Sequence, residues 1–141
     1  MGTLTLNVIA VLLCAALFGG MAFFSFVFAP LVFSRLPEDT AGGFIRQVFP
    51  VYYLLMAVLA ALAAMLLLPG DPVESALMLT VFLGFVFSRQ FLRPRINRAR
   101  DARLAGDESA AIRFRRLHGL SVVINMTLLA LVVVTLVLLL T

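Results

Sequence analysis

From Met1 to Ser34 no side chain carries a formal charge, and Leu4 to Phe33 is almost wholly apolar. If helical throughout, that run would be about 45 Å long, more than the ~30 Å of hydrocarbon that a spanning helix must cross. The surplus predicts a helix that tilts or breaks. Gly19-Gly20 and Pro30, whose ring disfavours helix at Ala29, are the two places for a break. Ala15 with Gly19 and Ala16 with Gly20 pair small residues four apart, a spacing that lets a second helix approach closely. Phe23, Phe24, Phe26, Phe28 and Phe33 crowd the far end, where packing and interfacial anchoring account for them.

The rest of the chain follows suit. Of 141 residues 63% are hydrophobic and 13% charged, and mean hydropathy is +1.12. An ordinary soluble domain is about half apolar and about a quarter charged. At about 20 residues per span, the chain predicts one all-α transmembrane domain, a four-helix bundle, with no room for a separate soluble domain. The spans fall at about 4–33, 50–68, 73–91 and 117–140. All eleven basic residues are arginine, which reads as coding bias toward a GC-rich genome. No aromatic-studded basic face is present for single strands to stack on, so the net charge of +4 points to membrane topology rather than to nucleic acid. Cys14 is alone, which excludes an intrachain disulfide. The first eight residues hold no basic side chain, so a cleavable signal peptide is not expected.

Between the first two spans, Thr40 precedes Ala41, Phe44, Ile45, Val48 and Phe49, an apolar stripe at helical spacing. The expectation is a short amphipathic helix over about 41–49, capped by Thr40 and lying in the interface. Pro50 then opens the second span, with Tyr52 and Tyr53 at headgroup level. Ala57, Ala60, Ala61 and Ala64 give that span a smooth strip for packing. Asp71-Pro72-Val73-Glu74 is a helix start with an aspartate cap, proline at the first helical position and an acid in the first turn. The third helix should leave the membrane with Arg93, Arg95, Arg98, Arg100 and Arg103. Ala105-Gly106-Asp107 turns it into the fourth, with Asp107 or Ser109 as cap, so residues 92–116 form a protruding antiparallel hairpin.

Four crossings put all eleven arginines at one side and Asp71 and Glu74 at the other. Positive charge marks the cytoplasmic face. The expected setting is a bacterial inner (plasma) membrane with both termini outward, and anionic lipid headgroups are expected beside the arginines.

Three tracts carry a family likeness: Phe26 to Tyr53, with Ala29-Pro30-Leu31-Val32-Phe33, Leu36-Pro37, Ala41-Gly42 and Phe49-Pro50-Val51-Tyr52-Tyr53; Arg89 to Arg98, with Arg89-Gln90-Phe91-Leu92-Arg93-Pro94-Arg95-Ile96-Asn97; and Arg115 to Asn125, with His118-Gly119-Leu120-Ser121 and Asn125. Together they resemble the domain-of-unknown-function membrane family related to animal transmembrane protein two-hundred-and-five. The resemblance implies four spans. Its animal member is associated with tolerance to platinum drugs, and no catalytic chemistry comes with it.

The unusual polar groups gather near the arginine side. His118, Ser121 and Asn125 share one face of the fourth helix, and Arg89, Arg93 and Asn97 stand at i, i+4 and i+8 on the third. Tyr53 and Ser25 are the expected partners from the other spans. Imidazole is the side chain suited to changing charge near neutral pH. Capping, anchoring and interhelical hydrogen bonding compete with a ligand role for these residues. A metal centre is not expected within one chain, because there is no Cys-x-x-Cys and no second histidine unless a dimer supplies one. The residues specify no cofactor. Three function classes fit: binding or permeation of a small solute, ion or metal species through a polar mouth, a membrane oxidoreductase or cofactor-binding subunit using His118, and an assembly partner without chemistry, for which a homo-oligomer would serve.

Overall fold

The computed structural model describes residues 2–141, and side chains from residue 5 onward. Four rods cross one another's length, each long and apolar enough to span a membrane: Thr5–Arg35, Glu38–Leu67, Pro72–Leu104 and Glu108–Leu140. The first rod is α1 (Gly2–Phe23), a π-turn (Phe24–Phe28) and α2 (Ala29–Arg35). The second is α3 (Glu38–Leu67). The third is α4 (Pro72–Phe87), a π-turn (Ser88–Leu92) and α5 (Arg93–Leu104), and the fourth is α6 (Glu108–Leu140).

Neither expected break occurs in the first rod. Pro30 has no N–H and its ring would press on the carbonyl four residues back. The helix meets this by widening to a π-turn just ahead, where the Ala29 N–H donates to the Phe24 carbonyl. The third rod repeats the solution. Pro94 follows the Ser88–Leu92 turn, and there the Arg93 N–H donates to the Ser88 carbonyl. Gly20 packs tightly, since a Cβ there would lie 2.9 Å from Met56 Cε, whereas Gly19 has open space around it. The Ala15–Gly19 pair thus faces away from the bundle.

The separate interfacial helix is not formed. Residues 41–49 are the early turns of α3, which runs through Pro50 without interruption and starts at Pro37 rather than Thr40. Proline at 37 fixes an extended backbone (φ −54°, ψ 146°), and Glu38 and Asp39 then sit in the first turn, where the helix dipole favours acids. Pro50 leaves the Arg46 carbonyl without its helical donor. The Arg93 guanidinium supplies one, at 3.3 Å. Backbone groups freed inside a membrane protein need such a substitute. The amphipathic stripe read from the sequence holds in part: Ala41 and Ile45 are buried, Val48 and Phe49 are partly buried, and Phe44 is exposed. Its polar side is tied to α5 by Arg46–Asp101 at 2.7 Å and Glu38–Arg103 at 3.2 Å.

The alanine strip does what its smoothness suggests. Ala57, Ala60 and Ala64 are buried where α3 meets α1 and α4, and the Ser75 hydroxyl donates to the Ala64 carbonyl at 2.9 Å. Cys14 lies in this core with its Sγ 3.8 Å from Met78 Sδ. α4 and α6 approach at Gly84, which lies directly under Leu128. Asp71 caps α4 through the Val73 N–H, and Asp107 caps α6 through the Ser109 and Ala110 N–H groups. Between α5 and α6, Gly106 takes φ +95°, a conformation that a side chain would strain. α5 and α6 form the expected hairpin.

Candidate functional site: a cleft below the arginine rim

A cleft of about 650 Å³ opens between the first rod, the early turns of α3, and the α5–α6 hairpin. Its walls change character along their length. At one end stand Arg46, Arg93, Arg100 and Arg103 with Glu38 and Asp39. Phe33, close to the turn into Glu38, stands at the same end; further along, the walls are Phe26, Ala29, Val122 and Met126, and the floor is Phe24, Phe49, Tyr52 and Tyr53.

Seven of the eight residues singled out from the sequence line this one cavity: Ser25, Tyr53, Arg93, Asn97, His118, Ser121 and Asn125. Asn125 is its polar centre. Its amide nitrogen donates to the Ser25 hydroxyl at 2.8 Å, and its amide oxygen accepts from the Tyr52 hydroxyl at 3.1 Å. Ser25 belongs to the first π-turn, and such turns recur at functional positions because they re-aim side chains. The tyrosine partner is therefore Tyr52, not Tyr53. Both are buried, with Tyr52 stacked on Phe24 at 4.1 Å and Tyr53 against Phe49 at 5.2 Å.

Arg89 does not join the cleft. It lines a smaller groove of about 220 Å³ on another face, with Leu54, Ala57, Val58 and Ala61. Arg89 lies inside the π-turn at Ser88–Leu92, where the backbone register changes, and it parts there from the face that carries Arg93 and Asn97 into the cleft. The Nε atoms of Arg89 and Arg93 are buried without a hydrogen-bond partner among the described residues.

His118 is an exposed wall residue of the cleft mouth. Its ring stacks on Phe114 at 5.9 Å, nearly parallel, and Arg103 sits 4.9 Å from the centre of the same Phe114 ring. Its carbonyl accepts from the Ser121 hydroxyl at 2.7 Å, so Ser121 is spent on its own helix. Phe114, Arg46, Arg100 and the two acids escaped the sequence reading, because the contact that unites them depends on α3 reaching back over α5. A proline within an apolar run gave no sign that the helix would continue through it. Among the described residues no three His, Cys, Asp or Glu side chains cluster as metal ligands.

No curated protein and no solved structure matches this chain. Residues 12–105 match the model of a family described as a domain of unknown function, DUF4149, a span that covers three of the cleft's four walls and stops before α6. The chain belongs to that family, as a small membrane protein built of four apolar rods.

Proposed function

We propose that the protein binds an amphipathic small molecule, which enters the cleft sideways from the lipid with its polar head toward the arginine rim. One observation carries the reading: a single cavity runs from four arginines, past a neutral Ser25–Asn125–Tyr52 cluster, to walls of phenylalanine, valine and methionine. Ligand sites are mostly apolar with a few placed polar groups that fix orientation. Within the general class of binding or permeation, binding is favoured. Phe24 and Tyr52 close the floor at 4.1 Å, and buried Met21, Met56 and Phe85 lie in the same core.

The arginine end faces the cytoplasm in this reading, on the strength of the charge asymmetry. The membrane is then a bacterial inner membrane with both termini outside. Kinship with animal transmembrane protein two-hundred-and-five belongs to the same proposal. All three tracts that carry the likeness contribute cleft walls, Phe33 and Tyr52 from the first, Arg93 and Asn97 from the second, His118 and Asn125 from the third.

Native mass spectrometry of the detergent-extracted protein tests the binding. One amphiphile per chain is expected in the wild type. Ala29→Trp, which fills the cleft, should weaken retention at least tenfold, while Ala61→Trp in the smaller groove should leave it unchanged. Equal retention in both variants would remove the cleft as the site.

A further inference from the structure

Resting on the reading of the cleft as an amphiphile site, we propose that the head it takes is a phosphate, gripped by Arg93 and Arg100 and delivered on a lipid of the leaflet next to the arginine rim. Two of the four rim arginines are already neutralised: Arg46 by Asp101 at 2.7 Å and Arg103 by Glu38 at 3.2 Å. Arg93 and Arg100 remain against Asp39 alone, an excess of one positive charge. A singly charged phosphodiester balances it.

Both guanidiniums are pinned yet keep donors to spare. Arg93 gives one N–H of its Nη2 to the Arg46 carbonyl that Pro50 orphans, at 3.3 Å, and its Nη1 makes no hydrogen bond among the described residues. Arg100 gives one N–H to the Asp39 carbonyl at 3.4 Å and lies in the space over Gly42, where any Cβ would collide with it. Guanidinium presents five donors in a fixed fork that matches phosphate oxygens. The two arginines are seven residues apart on α5, so they lie on one face about 10 Å apart along its axis and can close on an anion from two sides. A carboxylate is satisfied by a single such fork. A phosphodiester also has two charged oxygens, but on a tetrahedral centre their lone pairs point out of one plane, so two guanidiniums can approach from different sides. The lipid source follows from the apolar walls that continue from the rim, Phe26 and Val122 among them.

The test is a binding series read by native mass spectrometry and thermal shift on the full chain in a neutral detergent. The probes are dioleoyl phosphatidylglycerol, dioleoylglycerol, oleate and sodium phosphate. Phosphatidylglycerol should bind at least tenfold more tightly than dioleoylglycerol or oleate, a comparison that needs no variant. Arg100→Gln should erase most of that preference without changing dioleoylglycerol affinity. Gly42→Ala, which displaces the Arg100 guanidinium while keeping its charge, should do the same in part. Equal affinity for all three amphiphiles would overturn the phosphate assignment and leave the cleft reading intact. Binding of none would overturn both. Competition by sodium phosphate at comparable affinity, lost in Arg100→Gln, would uphold the oxyanion grip and overturn the lipid source.

Discussion

Asn125 is the most demanding position in the fold, because it makes two side-chain hydrogen bonds to two other rods within an apolar surround. Removing it with Asn125→Ala deletes bonds of 2.8 and 3.1 Å. Interhelical hydrogen bonds in membranes average about 0.6 kcal/mol, so the pair is worth about 1.2 kcal/mol. The Tyr52 hydroxyl keeps the Ser25 hydroxyl within hydrogen-bonding reach, so no buried donor is stranded and the single variant should lose about 1.2 kcal/mol. Tyr52→Phe removes one bond and keeps the 4.1 Å stack on Phe24, for a loss of about 0.6 kcal/mol. The Asn125–Tyr52 bond is lost in both single variants but only once in the double, so the two losses should fall short of additivity by about 0.6 kcal/mol. The assay is reversible SDS unfolding in mixed micelles, followed by far-UV circular dichroism since the chain has no tryptophan. Additivity within about 0.3 kcal/mol would show that Asn125 and Tyr52 do not meet, and the cleft's polar centre would be wrong.

Gly84→Ala places a methyl 2.6 Å from Leu128 Cδ2 and should cost about 1–3 kcal/mol by overpacking in the same assay, with Leu128→Ala in the same chain restoring part of it. The Asp107 carboxyl is held below the usual carboxylate range, first by the Ser109 hydroxyl and then by Arg113 and the amides that it caps. A lowered folded-state pKa stabilises above the unfolded value and is lost as pH falls through the folded one, so the Ser109 and Ala110 amides should lose hydrogen-exchange protection only below the ordinary carboxyl pKa of about 3.9. Asp107→Asn, which keeps the capping oxygen, should retain protection there. The Arg46–Asp101 pair has side chains 42% and 52% exposed, and Arg46→Ala should cost under about 1 kcal/mol. A larger loss would mean that the pair is shielded by lipid. A periplasmic-type reporter fused after Thr141 should be active, and activity of a cytoplasmic-type reporter there would reverse the orientation.

Much of the architecture was written in the apolar runs, because hydropathy and caps act locally. Asp71 and Asp107 announce their helices by chemistry confined to three residues. Asn125 and Ser25 stand out as polar groups at lipid depth, and they find each other. What escaped the sequence was governed by prolines whose cost is met elsewhere. Pro30 and Pro94 are each preceded by a π-turn, and Arg89, inside the second, lines a different groove from Arg93. Pro50 is carried inside α3 because Arg93, 43 positions away, donates to the carbonyl it frees. No pattern of neighbours along the chain encodes that donor. It also explains why the rim arginines other than Arg93 went unnoticed, since only an unbroken α3 brings Glu38, Asp39 and Arg46 over α5.

The most direct measurement is an experimental density map of the protein extracted from its own membrane in a mild detergent. The account predicts elongated density in the cleft, with its apolar part along Phe26, Val122 and Met126 and its head against Arg93 and Arg100. A map in which those side chains close on one another over a filled, ligand-free gap would contradict it.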